Sequence, residues 1–388
     1  MKHTAGLTLL AAALAVCVPR TILSHETLTT TVLFDREIVR VLDRHCVMCH
    51  AEKSLSFPLE TWEQTWVQGR KIRADVIARH MPPWAAFPGY GQFANDNSLT
   101  LRESQFVVSW VEGLGPRNAG KVFLNVQDSG AAKPPAVRAH AHVDAWQLGT
   151  PDLVRPLPPT AVEPNQGDDV KRITVDLGLT TERRVRALEF MPGDRRVVRA
   201  AFFTLQETGQ WLGSWTPWYG FMRLPDSVAF RLPAGSHIVA EIHYRSGSER
   251  VIDRGAIGLF LDRKIGSTTA SDLVLDATGE LPAGAAAHKL SAGTRLPTEA
   301  SAIALRPEID AAVTSIEVSA TAPNGARQVL LFAKYIPVEW PTAYVFKKPV
   351  QIAAGSRLTV TAYAANPSSA PRTGKVRLTI ISSKRRPS

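Results

Sequence analysis

The feature that most constrains this chain is the pentapeptide Cys46-Val47-Met48-Cys49-His50. Two thiols separated by two residues and followed at once by an imidazole are the spacing that attaches a c-type haem covalently. A short turn must hold both thiols against one porphyrin, and the imidazole then lies beneath the iron. A redox dithiol and half of a zinc site share the C-x-x-C spacing, but the only other cysteine is Cys17 and no thioredoxin-like βαβ pattern surrounds the motif. We therefore expect one haem c, bound through Cys46 and Cys49 and ligated by His50.

The sixth ligand of the iron is expected some tens of residues after the motif, in the run Met81-Pro82-Pro83-Trp84. A thioether sulfur raises the potential of the iron, and the two prolines stiffen the loop that carries the sulfur. His80 and His45 are rival ligands, and ligation by His80 would lower the potential. We expect Met81 as the ligand and Trp84 at the haem edge.

Residues 30–118 predict a small all-α haem domain of three helices. The apolar residues Ile38, Val41 and Leu42 recur at helical spacing just before the motif, so the cysteines are expected at the end of a first helix. A second helix is expected over residues 60–79. The third starts at the capping box Thr100-Leu101-Arg102-Glu103 and ends at Gly113.

Residues 1–24 have the pattern of a signal peptide. Lys2 gives a positive start, and the apolar run from Ala5 to Val18 is too short to span a bilayer. Its removal would take Cys17 with it, and a c-type haem is attached outside the bacterial cytoplasm. We therefore expect a periplasmic or secreted protein, associated with a membrane only if this segment is retained or lipidated.

The 388-residue chain carries a formal charge of +10, with its basic residues scattered along the sequence. Scattered charge is typical of a solvated surface, and binding of nucleic acid is not expected. A positive surface favours an acidic partner, and the expected partner is a redox protein.

Beyond residue 150 the sequence changes from helical to β patterns. Residues 119–150 are rich in Ala, Gly, Pro and Lys and predict a linker, in which His140 and His142 are expected to be solvated. Short β-rich runs separated by turn residues then follow to the end of the chain. They predict two tandem all-β, jelly-roll-like sandwiches, over 151–265 and 266–388, so the fold class is an α + β multidomain protein.

The sequence resembles a bacterial family in which a cytochrome c domain precedes a copper type II, ascorbate-dependent monooxygenase module similar to peptidylglycine hydroxylase. The resemblance covers nearly all of the chain after the signal segment. The motifs that carry it, in chain order, are the C-x-x-C-H pentapeptide, Met81-Pro82-Pro83-Trp84, Trp146 to Asp152, Glu189 to Gly193, Trp215-Thr216-Pro217, Leu232 to Gly235, Ile242-His243-Tyr244, and Tyr344 with Pro349 before Ala354-Gly355.

The resemblance implies two copper centres, but most of their ligands are replaced in this sequence. Arg199-Ala200 stands where the family has a His-His pair, and Pro307 to Asp310 stands where it has Pro-His-Met-His. No methionine follows Met222 to supply the late thioether ligand. His243 is retained and is the one candidate copper ligand. Glu308 and Asp310 are hard ligands that suit Mg²⁺ or Ca²⁺ better than Cu(I).

These observations predict a monohaem electron-transfer cytochrome whose double sandwich is catalytically degenerate, and no catalytic residue is assigned. The alternative is an active, haem-fed, metal-dependent monooxygenase with a rebuilt metal site that draws on His140, His142, His237 or His243. A third interpretation makes the sandwiches a carbohydrate- or protein-binding unit, suggested by the aromatic residues Trp211, Trp215, Trp218 and Tyr219.

Overall fold

The computed structural model describes residues 30–52, 54–118, 145–264 and 266–384, and β-strands are the most abundant regular secondary structure among them. The expected signal segment, Cys17, His140 and His142 lie outside the described residues. Within the described residues, no helix is long and apolar enough to cross a membrane.

The helices all lie before residue 113 and enclose a core of their own. A π-helical segment, Phe34–Ile38, continues into α1 (Val39–His45), and α2 (Trp62–Val67), α3 (Gly69–Ile77) and α4 (Leu101–Glu112) follow. The buried side chains of this core include Phe34, Ile38, Leu42, Val47, Leu59, Val107 and Trp110. The helices thus surround the C-x-x-C-H segment, which leaves α1 at its carboxyl end.

The helix expected over residues 60–79 is wrong in one respect, because the structure divides it into α2 and α3. Gln68 leaves helical geometry, with φ −93° and ψ 1°. Gly69, a poor helix former, follows it and packs beneath Val111. The capping box at Thr100 and Glu103 is confirmed, and α4 ends at Gly113 as expected.

Nineteen strands follow in the part of the chain that the structure describes. They are β1 (Leu153–Pro156), β2 (Thr160–Val162), β3 (Asp168–Asp176), β4 (Arg183–Met191), β5 (Val198–Leu205), β6 (Trp211–Trp215), β7 (Phe221–Arg223), β8 (Val228–Leu232), β9 (His237–Arg245), β10 (Val251–Asp253), β11 (Ala256–Leu261), β12 (Thr268–Leu281), β13 (His288–Arg295), β14 (Ala300–Ile309), β15 (Val313–Thr321), β16 (Arg327–Lys334), β17 (Tyr344–Ile352), β18 (Arg357–Ala364) and β19 (Arg372–Lys384).

One nine-stranded sheet runs through both halves of this region, in the order β1-β11-β4-β8-β12-β19-β14-β17, with β7 paired to β4. A four-stranded sheet, β3-β9-β5-β6, covers its first half, and another, β13-β18-β15-β16, covers its second half. The halves join where β12 pairs in parallel with β8, at Thr268 with Val228 and Thr269 with Ala229. The buried side chains form two clusters: one is centred on the first half but also includes Ile303, Val345 and Ile381 of the second half, and the other lies in the second half and the segment after Met81.

The segment after Met81 packs on the second half of the β region. Asn95 is 4% exposed; its side-chain amide donates to the Ala343 carbonyl at 2.6 Å, and its carbonyl oxygen accepts from Val345 N at 2.9 Å. Trp84 was expected at the haem edge, and this is wrong: its ring lies 5.1 Å from that of Tyr344 in the core of the second half. The reason is the apolar neighbourhood that β17 offers to this segment, which sequence spacing does not reveal.

Candidate haem site

The C-x-x-C-H segment forms a helical turn at the end of α1. The amides of Cys46 and Val47 both donate to the Leu42 carbonyl, and those of Cys49 and His50 donate to the Cys46 carbonyl at 3.0 Å. Val47 is fully buried in the helical core and anchors the turn. Both thiols are thereby held on one side of a short, fixed piece of backbone.

The imidazole of His50 has the arrangement of a metal ligand. Its Nδ1 donates to the Phe57 carbonyl at 2.9 Å, and its ring lies 4.7 Å from the Phe57 ring. A proton fixed on Nδ1 leaves Nε2 with a free lone pair, and this second hydrogen bond orients ligating histidines in metal sites generally. Burial lowers the pKa of His50, which favours the neutral form that binds a metal.

The two thiols are kept neutral by their surroundings. Burial raises the pKa of both Cys46 and Cys49 to about 12. Arg195 lies close enough to Cys49 to oppose that rise. The cysteines are not bonded to each other, so both sulfurs are available for attachment to a ligand.

A cavity of about 760 Å³ opens beside this turn, and Cys46, Cys49 and His50 form part of its wall. Its volume lies within the range of about 300–1,000 Å³ that is usual for cofactor and ligand pockets. Apolar side chains such as Leu42, Leu59, Leu99 and Val107 line much of the rest of the helical wall. The donor set and the apolar lining fit a haem attached at the two cysteines.

Met81 lines the same cavity and is 37% exposed. The rival His80 is directed elsewhere: its Nδ1 lies 3.7 Å from Asp75 Oδ1, and its side chain is 65% exposed. His45 lines the cavity; its Nδ1 lies 3.3 Å from Asn97 Oδ1, and its buried Nε2, 3.5 Å from Glu103 Oε1, has no hydrogen-bond partner among the described residues. Met81 and His45 thus both line the cavity, whereas His80 does not.

The remaining wall of the cavity comes from the β region. Arginines at positions 195, 196, 199 and 245 line it, together with Trp340. Sequence reasoning missed this wall. The cluster of three arginines soon after Pro192-Gly193 was an available signal, but Arg245 and Trp340 are too distant in sequence to be associated with the motif.

The residues expected at a copper centre form ion pairs instead. His243 Nε2 lies 3.3 Å from Glu241 Oε1, and the same carboxylate is 3.2 Å from Arg306 Nη2. Glu308 pairs with Arg306 at 3.4 Å, and Asp310 with Arg372 at 3.4 Å. Among the residues that the structure describes, no group of three or more His, Cys, Asp or Glu side chains is placed to hold a metal ion.

The hydrogen bond that His243 shares with Glu241 is the largest cause that lowers the pKa of this carboxyl to about 2, and Arg172 and Arg306 add to it. His237 and His243 share a face of β9, as their even spacing predicts, but His237 pairs with Glu207 at 3.0 Å. The two histidines therefore serve separate acidic partners.

The aromatic group does not form an exposed platform. Trp211 and Trp215 are 1% and 0% exposed and belong to the core of the first half. Trp218 donates from Nε1 to the Asn95 carbonyl at 3.1 Å, which ties the first half to the segment after Met81. The interpretation as a ligand-binding surface is wrong for Trp211 and Trp215, whose faces are buried against neighbouring strands, while Trp218 and Tyr219 are half-buried.

Comparisons with known proteins add no family. No protein-family model matches the chain, and no curated protein matches it. The major capsid protein P2 from bacteriophage PM2 aligns with 59% of this chain and 99% of its own, at 9% identity and a TM-score of 0.26. Allantoicase from Saccharomyces cerevisiae aligns with 57% of this chain and 80% of its own, at 12% identity and a TM-score of 0.19. Similarity at this level informs neither the fold nor the function of this chain.

Proposed function

We propose that the protein is a monohaem c-type cytochrome that transfers electrons outside the cytoplasm. The observation that carries the proposal is the cavity whose wall contains two neighbouring thiols, an imidazole fixed through Nδ1, and a thioether. When bound, a haem supplies one-electron chemistry at its iron, tuned by the two axial ligands and by burial.

Each residue of the site then has a defined part. Cys46 and Cys49 would attach the porphyrin, and His50 and Met81 would hold its iron. Phe57 fixes the tautomer of His50 through its carbonyl oxygen. Electron transfer needs no catalytic side chain, so none is proposed.

The helices are proposed to form a small all-α cytochrome c domain, and the β region two jelly-roll-like sandwiches related to copper monooxygenase modules. We propose that the sandwiches have lost that activity and act as a scaffold or docking unit. The replacement of the expected ligands by ion pairs around Glu241 and Arg306 supports this part of the proposal. The expected partner is a redox protein, and the expected location is the periplasm or the cell exterior.

Metal and haem content test the proposal. The full chain is produced in a periplasm with haem-attachment machinery, incubated with copper and freed of loose metal, and iron and copper are counted per chain. One iron, a mass increase of one haem and no copper are expected. A matched variant, Cys46→Ala with Cys49→Ala, should lose the covalent haem.

Two results would contradict parts of the proposal. A wild-type chain without attached haem would refute the cytochrome assignment. One iron with one or two tightly bound coppers would instead favour the active, haem-fed monooxygenase, and ascorbate-dependent hydroxylation would then be the activity to measure.

A further inference from the structure

The wall of the cavity that the β region provides carries an excess of positive charge. Its ionisable side chains are four arginines, at 195, 196, 199 and 245, and one carboxylate, that of Asp194. The Asp194 carboxylate pairs with Arg196, whose Nε donates to it at 2.9 Å. The opposite, helical wall carries Glu52, Glu60 and Asp75 with Lys71, so positive charge is concentrated on the β side.

The loop that carries Arg195 and Arg196, residues 192–196, is held in place by a buried acid. Asp253 is 2% exposed; its Oδ1 accepts from Asp194 N at 2.9 Å and its Oδ2 from the Tyr244 hydroxyl at 2.8 Å. Gly193 is required here, because an added Cβ would lie 2.3 Å from Arg254 N. Arg195 and Arg196 are therefore presented by a fixed loop, whereas Arg199 and Arg245 are presented by the strands β5 and β9.

Two of the arginine side chains are also fixed by aromatic rings. Arg195 Cζ lies 5.3 Å from the centre of the Trp215 ring, and its Nη2 donates to the Pro217 carbonyl at 3.2 Å. The Arg199 side chain is only 10% exposed; its Nε lies 3.7 Å from Oδ1 of the half-exposed Asp168, and its Cζ lies 4.4 Å from the centre of the Trp340 ring. A planar guanidinium held this way loses little freedom on binding and suits a carboxylate, which it can engage through two parallel hydrogen bonds.

We propose that Arg195, Arg199 and Arg245 form a carboxylate-binding site inside the cavity. The site rests on the proposed function in one respect, since a haem is the nearest source of carboxylates. The chemistry is shared by two sources: the two propionates of the haem, and a small free carboxylate that enters beside it. In the first case the arginines would bind the haem directly, and in the second they would act on it through the bound carboxylate.

The experiment uses the full, haem-loaded chain and four variants: Arg195→Gln with Arg245→Gln, Arg245→Gln alone, Arg199→Lys, and Arg231→Gln as a control. Arg231 lies in the same half of the β region but pairs with Glu182, and it is not among the described residues that line the cavity. Covalent haem is measured by mass, the midpoint potential by spectroelectrochemistry, and the propionates by resonance Raman. Succinate is then added, with chloride at matched ionic strength as reference.

If the propionates are the ligands, the cavity variants should shift the propionate bands and lower the midpoint potential without succinate, because positive charge near the iron favours the reduced form. Arg199→Lys, which keeps the charge, should shift the bands but lower the potential less. If a free carboxylate is the ligand, succinate should shift the wild-type potential saturably, and the shift should be lost in the cavity variants. Arg231→Gln should behave as wild type in both arms.

A fully loaded protein whose potential, propionate bands and response to succinate are the same in every variant would overturn the inference while leaving the cytochrome assignment intact. If the double variant does not fold, the surface substitution Arg245→Gln and the charge-keeping Arg199→Lys decide. If haem does not attach to the wild type, the proposed function has failed, and calorimetric titration of the haem-free chain with succinate decides: binding that the variants lose supports the site, and no binding refutes it.

Discussion

At the scale of single residues, Met81 is the proposed second ligand of a haem iron. Its removal separates Met81 ligation from His80 ligation, because Met81 lines the cavity and His80 does not. For Met81→Ala we expect haem to stay attached, since the cysteines are untouched, and the midpoint potential to fall, since a thioether ligand raises it. The oxidised protein should also lose the weak long-wavelength band of sulfur-ligated ferric haem.

The control for this prediction is Met48→Leu, which changes a methionine that also lines the cavity but lies inside the motif. It should leave spectrum and potential unchanged. A spectrum that survives Met81→Ala but changes in His80→Ala would assign the ligand to the histidine.

The buried carboxylate of Asp272 predicts a pH dependence of stability. One oxygen accepts from Trp211 N at 2.7 Å, while Oδ1 is buried without a hydrogen-bond partner among the described residues. Burial raises the pKa from 3.8 to about 6, although Arg306 and Arg377 oppose the rise. The folded state therefore holds this proton more tightly than the unfolded state, and stability should fall as the pH rises from about 4 to 6.

Asp272→Asn should remove this loss and raise the free energy of unfolding at pH 7 by about 1–3 kcal/mol, given about 1.4 kcal/mol per pKa unit. Urea unfolding at pH 4 and pH 7 measures the change. The matched control on the same strand is Asp276→Asn, whose carboxylate is 45% exposed and pairs with Arg377. An equal effect of both substitutions would contradict the assigned cause.

At the scale of elements, the capping box of α4 connects this helix to α1. Thr100 Oγ1 accepts from Glu103 N at 3.2 Å, Glu103 Oε2 accepts from Thr100 N at 2.9 Å, and Arg44 donates to Glu103 Oε1 at 2.9 Å. Thr100→Ala should cost about 1 kcal/mol of unfolding free energy, because a first-turn amide loses its partner. Thr100→Ser keeps the hydroxyl and should cost much less; equal losses in guanidinium unfolding would refute the role of the cap.

Elements also show what the sequence could and could not predict. The turn at Cys46 to His50, the cap at Thr100 and the β pattern after residue 150 are local, and local spacing was enough to predict them. The break at Gln68 depends on the packing of the adjacent Gly69 against Val111, and the burial of Trp84 depends on its contact with Tyr344. Residue spacing along the sequence gives no information on such contacts. The arginine wall of the cavity was not predicted for the same reason, since Arg199, Arg245 and Trp340 come together only in the folded chain.

At the scale of the whole molecule, the halves of the β region are joined by more than the short pairing of β8 with β12. Arg306 of β14 reaches the first half, where its Nη2 lies 3.2 Å from Glu241 Oε1 and its Cζ lies 4.2 Å from the centre of the Phe202 ring. The side chains of Arg306 and Glu241 are largely shielded from solvent, at 9% and 17% exposed. This contact should couple the stabilities of the two halves.

A double-mutant cycle measures that coupling. Arg306→Ala should cost about 1–3 kcal/mol, because it removes one partner of a shielded carboxylate that keeps Arg172 and His243. Arg306→Ala with Glu241→Gln should cost less than the sum of the two single substitutions, with a coupling energy of about 1–3 kcal/mol between the sites. The exposed pair Arg231–Glu182, within the first half, should show less than about 1 kcal/mol in the same cycle.

The pH dependence of the same cycle tests its electrostatic origin. The folded state lowers the pKa of Glu241 from 4.5 to about 2, so its stabilising effect is complete above pH 4.5 and is lost as the pH falls towards 2. The coupling energy should therefore be large at pH 7 and should shrink between pH 4.5 and 2, as followed by urea unfolding of the four proteins. A coupling energy that is the same across this range would assign the contact to the packing of Arg306 on Phe202. The number of unfolding transitions is a second readout: if the wild type unfolds in one transition and Arg306→Ala unfolds in two, this contact unites the halves.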